Sequence, residues 1–261
     1  MDTNPNIKTL INPSHSLLAY QFRDGRDDLP TLVFLHGFRS DMTGDKARFL
    51  DEICINRGQK FLRFDYSGHG QSEGIFEDGS IGTWLADSLA LVDKITSGPL
   101  VLVGSSMGGW IGLLLAVARP ERVKGFIGVA AAPGFTEWIW QKELTEEQRQ
   151  ECLREGRITL PPSFGLPIVL KPHFFEDGRL QNPLENGMLS LSVPVILLQG
   201  KQDKDVPWQT AEKIAQALPA GLCEIIYVED GDHRLSRPQD LECLKSAVLR
   251  IEKSSPNGVY K

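Results

Sequence analysis

The sequence predicts an α/β fold: a mainly parallel sheet flanked by helices, with a small cap insertion. Three observations carry this reading. Six short, β-branched and almost continuously apolar runs recur along the chain, as strands covered on both faces require. Amphipathic helical patterns separate most of them, and alternation repeated this often means parallel strands joined by helical crossovers. Turn-rich segments such as YSGHGQSEG close several of the runs, where loops at one end of such a sheet belong.

In chain order, residues 16–22 fit an antiparallel strand at the front edge. Residues 31–36 (TLVFLH) form the first core strand and end in His36-Gly37. A helix follows over 43–57, with Ala47, Leu50, Ile53 and Cys54 on one face. Strand 61–65 leads into the glycine-rich turn, and helix 80–96 carries Trp84, Leu85, Leu89, Val92 and Ile95 on one stripe. Strand 99–105, helix 107–118 and strand 123–131 come next. Strand 193–199, helix 209–217, strand 222–228 and helix 239–252 complete the series. Between Gly134 and Leu191 the rhythm stops. No clear strand is expected there, a helix is expected near 137–155, and Pro161, Pro162, Pro167, Pro172 and Pro183 punctuate the rest. That stretch is too long for a plain connection. The expected organisation is one domain over residues 1–261, with 134–191 as a cap over one end of the sheet.

Composition narrows the function. The 261 residues are 41% hydrophobic and 24% charged, with 28 basic against 34 acidic side chains for a net charge of −6. An acidic chain without a basic run is unsuited to nucleic acid or to anionic membrane surfaces. Cys54, Cys152, Cys223 and Cys243 are scattered, as in proteins of a reducing compartment rather than in a disulfide framework. The start, MDTNPNIKTL, has no basic segment followed by an apolar one, and no stretch approaches the ~18 apolar residues of a membrane span. The expectation is a cytoplasmic protein without a membrane span.

Gly104-Ser105-Ser106-Met107-Gly108 lies between an apolar strand and an apolar helix. In that context G-x-S-x-G is a nucleophile elbow. A strand turning sharply into a helix crowds its neighbours, and the two glycines remove the side chains that would clash. The competing reading, a serine capping the helix, fits the pentapeptide but not the strand before it and the added Gly109. A serine hydroxyl needs a base. Of His15, His36, His69, His173 and His233, only the last two follow Ser106, and only His233 stands in a loop after a core strand. The acid belongs at the end of a strand between them, where GKQDKDVPW offers Asp203, with Asp205 as its rival. For a developing oxyanion, the Met107 N–H follows the nucleophile and the Phe38 N–H follows the first core strand. Zinc-protease, P-loop and Cys–His metal patterns are absent, and Gly68-His69-Gly70 lacks the spacing of a dinucleotide loop; no metal or cofactor is expected.

HGF at 36–38, DYSGHGQS at 65–72, GSSMGG at 104–109, GKQDKDVP at 200–207 and GDH at 231–233 together resemble the α/β-hydrolase superfamily. Within it, HGFRSDMTGDKA at 36–47, DYSGHGQSEG at 65–74, VGSSMGGW at 103–110, the Asp-x-x-Val-Pro-Trp segment at 203–208 and Asp-His-Arg at 232–234 look like the mitochondrial palmitoyl-protein thioesterase and acyl-glucuronide esterase branch. The resemblance covers nearly the whole chain. It implies the α/β-hydrolase fold and hydrolysis of a carboxylic ester or thioester through an acyl-Ser106 intermediate. His233 is then the base and Asp203 its acid, acting on a small-molecule or acylated-protein substrate. C–C bond hydrolysis, perhydrolysis, acyl transfer and amide cleavage by the same residues compete with this, as does a non-catalytic binding protein on the same fold. For the substrate, Arg39 directly follows Phe38 and suits an anionic group, unless it pairs with Asp41. Trp138 and Trp140, with Phe135, Phe164, Phe174 and Phe175, suit an acyl pocket, unless they only fasten the cap to the core.

Overall fold

The computed structural model describes residues 7–161, 167–185, 187 and 189–253. Eight strands form one sheet in the order β1 (Lys8–Ile11), β2 (Leu17–Arg23), β4 (Phe61–Phe64), β3 (Thr31–Leu35), β5 (Leu100–Ser105), β6 (Val123–Val129), β9 (Val195–Gly200) and β10 (Cys223–Val228). From β4 to β10 every pairing is parallel; β2 runs antiparallel to both β4 and β1. The expected front-edge strand is therefore present. β1, four residues long and mostly exposed, adds an edge strand that has too little apolar pattern to be read from sequence.

The continuous hydrophobicity of the core strands follows from their position. Val33, Leu35, Leu62, Phe64, Leu100, Leu102 and Leu197 face one core. Their neighbours Leu32, Phe34, Phe61, Val101, Val103, Ile196 and Leu198 face the other. Alternate side chains leave opposite faces of a strand, so a sheet covered on both faces needs apolar residues at every step. Helices α2 (Ile81–Ile95), α3 (Met107–Ala118) and α7 (Gln209–Gln216) supply the first core. Helices α1 (Asp45–Arg57) and α8 (Pro238–Ile251) supply the second.

Between β6 and β9 the chain departs from expectation. The helix expected near 137–155 is two pieces. α4 (Phe135–Trp138) runs into a π turn over Ile139–Glu143, and α5 (Glu146–Glu155) starts afresh. The break is a capping box: Thr145 accepts the Gln148 N–H and the Gln148 side chain accepts the Thr145 N–H, which satisfies two helix-end donors and favours a new start there. Two three-residue strands, β7 (Ile158–Leu160) and β8 (Ile168–Leu170), pair antiparallel, although no clear strand was expected in this stretch. Helix α6 (Pro172–Leu180) begins at Pro172. A proline in the first turn loses no helical bond, so it opened a helix rather than breaking one. Phe164 and Pro162 lie outside the described residues. No helix among the described residues is long and apolar enough to cross a membrane.

Candidate active site

Ser106 joins β5 to α3 with φ 55° and ψ −118°. A non-glycine residue held there costs about 1–3 kcal/mol and persists only where its surroundings enforce it. Two glycines do so. A Cβ on Gly108 would lie 2.1 Å from the Leu35 carbonyl oxygen, and one on Gly104 would lie 2.2 Å from the Gly108 carbonyl oxygen. The Ser106 N–H donates to the Val129 carbonyl at 2.9 Å, and the Ser106 carbonyl accepts the Ala132 N–H at 3.1 Å. Ser106 stands at the cap position of α3, yet its hydroxyl makes no capping bond. It meets His233 Nε2 at 3.1 Å instead.

His233 lies in the loop after β10. Its Nδ1 donates to Asp203 Oδ2 at 2.8 Å, which leaves Nε2 as acceptor for the serine hydroxyl in the neutral ring. The loop is fixed from two sides. Asp232 Oδ1 accepts the Arg234 and Leu235 N–H groups, both at 3.1 Å. Lys46 on α1 donates to the Arg234 carbonyl and, at 3.2 Å, to Ser236 Oγ.

The Asp203 side chain has no exposed surface. Its Oδ1 accepts the Asp205 and Val206 N–H groups at 2.9 and 2.8 Å, and its Oδ2 also accepts Gln199 Nε2 at 3.2 Å. Burial pushes the carboxyl pKa up, but the hydrogen bond to His233, those from the backbone and the His233 charge outweigh it and hold the pKa below the usual value. The Gln202 N–H donates to the Gly231 carbonyl at 2.9 Å, joining the loops that carry the acid and the histidine. Asp205 is exposed. Gln199 is almost wholly buried; a lone amide ending the apolar run VILLQG was the sequence signal for it. Lys46 left no such signal.

Opposite Ser106 is the loop after β3. A Cβ on Gly37 would lie 3.3 Å from Ser106 Cβ, so only a residue without one lets the loop approach freely. Met107 opens α3, where the first N–H groups have no intrahelical acceptor. The Phe38 ring packs 5.1–6.0 Å from those of Phe76, Trp84, Phe135 and Phe174. His36 Nδ1 donates to the Gly37 carbonyl at 2.8 Å. Both histidines of this region are buried. Burial, then the neighbouring His69, push His36 down to about 3 against the opposing Gly37 hydrogen bond. Burial outweighs the Ser67 hydrogen bond and pushes His69 down to about 4. Both rings are neutral at ordinary pH.

The residues expected to touch substrate are dispersed. Arg39 is exposed and lines a cleft of about 330 Å³ with His69, Ile75, Phe76 and Ile168. Trp138 is 44% exposed and lines a second cleft of about 650 Å³ with Phe135, Leu184, Asp205 and Val206. Trp140 instead packs on Phe175, ring centres 4.7 Å apart, and under the Arg179 guanidinium at 5.4 Å. Asp203, Asp205 and His233 offer ligand atoms within 4.8 Å of one another. Both ring nitrogens of His233 are engaged, Nδ1 with Asp203 and Nε2 with Ser106.

An alpha/beta hydrolase family model matches residues 32–242. The chain belongs to the alpha/beta hydrolase family. The hydrolase is 35% identical over 229 residues to the mitochondrial palmitoyl-protein thioesterase ABHD10 of Mus musculus, covering 87% of this chain and 76% of that one. Among solved structures, a protein of Agrobacterium vitis S4 named as a hydrolase superposes with a TM-score of 0.90 at 37% identity, covering 95% of this chain and 98% of the other. The mouse alpha/beta hydrolase domain-containing protein 10 superposes with a TM-score of 0.84 at 32% identity, covering 94% and 97%. The family makes the protein a hydrolase by class.

Proposed function

We propose that the hydrolase cleaves acyl esters and thioesters, with long-chain acyl thioesters its preferred class, through a covalent acyl-Ser106 intermediate. The observation that carries this reading is the relay from Ser106 Oγ to His233 Nε2 at 3.1 Å and from His233 Nδ1 to Asp203 Oδ2 at 2.8 Å. His233 takes the hydroxyl proton as Ser106 Oγ attacks the acyl carbonyl. Asp203 stabilises the imidazolium and sets its tautomer. The carbonyl oxygen, now an oxyanion, receives the Phe38 and Met107 N–H groups. Collapse of the tetrahedral species expels the alcohol or thiol, with the His233 proton delivered to it. Water attacks the acyl-enzyme with His233 again as base, and the carboxylic acid leaves.

The thioester preference is supported by the relatives named palmitoyl-protein thioesterase. Residues 134–191 act in this reading as a cap, and the contacts of Phe135 and Phe174 with Phe38 support it. The cytoplasm is the proposed compartment; four free cysteines suit its reducing environment, and the relatives' mitochondrial label marks the alternative.

The test is direct. Wild-type protein should be labelled by a fluorophosphonate and should hydrolyse acyl-cysteine or acyl-CoA thioesters and p-nitrophenyl esters. Ser106→Ala should remain folded, lose the label and lose about 10³–10⁶ in kcat. Near wild-type turnover by that variant would remove Ser106 from the mechanism.

A further inference from the structure

We propose that Gln199 is a positioning residue for Asp203: its side-chain amide occupies the same oxygen that holds His233, fixes that oxygen on the ring, and limits how much of the carboxylate charge His233 can draw on. This deepens the acyl-Ser106 reading and rests on it. Gln199 is the last side chain of β9 and is 1% exposed. Side chains alternate along a strand, and Leu197, two residues earlier, lies in the first core. Burial alone would therefore put an apolar residue at position 199. A buried amide is costly unless its polar atoms are bonded. Gln199 Nε2 donates to Asp203 Oδ2 at 3.2 Å and to the Gly200 carbonyl at 3.3 Å. A carboxylate and a carbonyl only accept, so both contacts require the nitrogen, and the two partners fix the direction of the amide.

Asp203 Oδ2 is also the oxygen that accepts the His233 Nδ1–H, at 2.8 Å. The other oxygen, Oδ1, accepts the Asp205 and Val206 N–H groups at 2.9 and 2.8 Å. An ionised carboxylate has about four acceptor sites. Four N–H groups from the described residues reach this one, and its side chain has no exposed surface. The backbone pair holds the Oδ1 end, and Gln199 holds the Oδ2 end against rotation away from the ring. Gln199 and His233 share one oxygen, so each draws on the charge offered to the other. A hydrogen bond to the carboxylate stabilises its charge by itself, and so weakens the pull of Oδ2 on the imidazolium. Without Gln199 the carboxylate is less firmly aimed, and the charge left for His233 is larger.

Kinetics on a neutral p-nitrophenyl ester separate this role from packing. Gln199→Met keeps the length and nearly the volume of the side chain but has no donor. The acid limb of kcat/KM reports the base of the free enzyme. The charged groups around that base are Asp203 and Asp205 on the loop after β9, Asp232 and Arg234 in its own loop, and Lys46 from α1; the variant alters none of them. Its acid limb should move up by about half a pH unit, with kcat down about tenfold and KM within about threefold. In the Asp203→Asn background, where no carboxylate remains to be aimed, the same change should alter kcat by less than about twofold. An acid limb that is unmoved or moves down overturns the inference even if kcat falls, because a packing defect lowers kcat without moving the limb. An equal loss of kcat in both backgrounds overturns it as well. Should Gln199→Met fail to fold, proton NMR of the wild-type protein decides. The Gln199 side-chain amide protons should titrate together with the His233 ring, since both donate to one oxygen; amide protons that stay flat through the His233 titration overturn the inference. A wild-type protein without turnover or fluorophosphonate labelling overturns the acyl-Ser106 reading instead, and the NMR titration still decides the shared oxygen.

Discussion

Asp203 accepts the backbone N–H of Asp205 at 2.9 Å, so the two acids that the sequence leaves as rivals act in series. The side chain of Asp203 reaches His233, while Asp205, an exposed residue, donates its main-chain N–H to Asp203. Asp203→Asn should cost about 10⁴ in kcat, because an amide can present its NH₂ to the histidine and favour the wrong tautomer. Asp205→Asn keeps the N–H that matters and should stay within about threefold of wild type. Steady-state kinetics of both variants on one ester decides the assignment, and the reverse order of effects would exchange the two roles.

The elbow predicts a steric failure at Gly108. A Cβ there meets two backbone oxygens, those of Leu35 and His36, at 2.1 and 2.5 Å. Backbone cannot swing aside as a side chain can, so Gly108→Ala must part α3 from β3. Overpacking of this kind costs about 1–3 kcal/mol or more. At about 2–4 °C per kcal/mol for a chain of this size, the Tm should fall by about 5 °C. Since Leu35 and His36 lead directly into the loop with Phe38, kcat should fall further than stability explains. An unchanged Tm by calorimetry would contradict the close approach.

Most of the sheet was legible because its strands are buried on both faces, which writes a continuous apolar signal. Legibility ended where burial is one-sided or where a residue's meaning depends on position. β1 exposes most of its residues. Pro172 reads as a breaker until it is placed in the first turn of α6. The Thr145–Gln148 capping box was present in the sequence as T-E-E-Q, but the helical pattern on both sides masked it. Of the site, Ser106 and His233 carry local and ordered signals that a sequence can transmit. Gln199 and Lys46 act across 4 and 188 residues of chain. Their roles arise only when α1, β9 and the His233 loop converge.

Stability should depend on pH through the two buried histidines. Their native values, about 3 for His36 and about 4 for His69, lie below the ordinary 6.5. Depressed histidines favour the neutral form in the native state. Their contribution is fully present above 6.5 and is lost as pH falls from there through about 4 for His69 and about 3 for His36, because over this range the unfolded chain binds protons that the native protein does not. Asp65 opposes them: burial outweighs its backbone hydrogen bonds and raises it from 3.8 to about 6, which favours the native state as pH falls through that interval. Near pH 5.5 two histidines outweigh one acid by roughly one proton, or about 1.4 kcal/mol per pH unit. Urea unfolding between pH 5 and 6 should show stability rising with pH at about that slope, and His69→Gln should flatten it. A flat wild-type profile would mean that the rings are not held neutral.

Substrate selectivity should divide along the two clefts. Trp138 lines the larger one together with Asp205 and Val206, whose backbone N–H groups hold Asp203. The Ala132 N–H, on the Ser106 carbonyl, comes from the same cleft wall. An acyl chain laid there gains about 0.8 kcal/mol per buried methylene, or about fourfold in kcat/KM. Trp138→Ala should weaken that dependence on chain length across a series of p-nitrophenyl esters. Trp140 has its face against Phe175 and Arg179. Trp140→Ala should lower the Tm and leave the chain-length profile as it was. Arg39 lines the smaller cleft, so Arg39→Ala should raise KM about tenfold for an anionic ester, roughly 1.4 kcal/mol, and change little for a neutral one. The three variants give three separate signatures. If Trp140→Ala alters the profile while Trp138→Ala does not, the acyl chain does not run through the larger cleft. Equal losses for Arg39→Ala on both esters would mean that Arg39 supports the loop rather than binds the substrate.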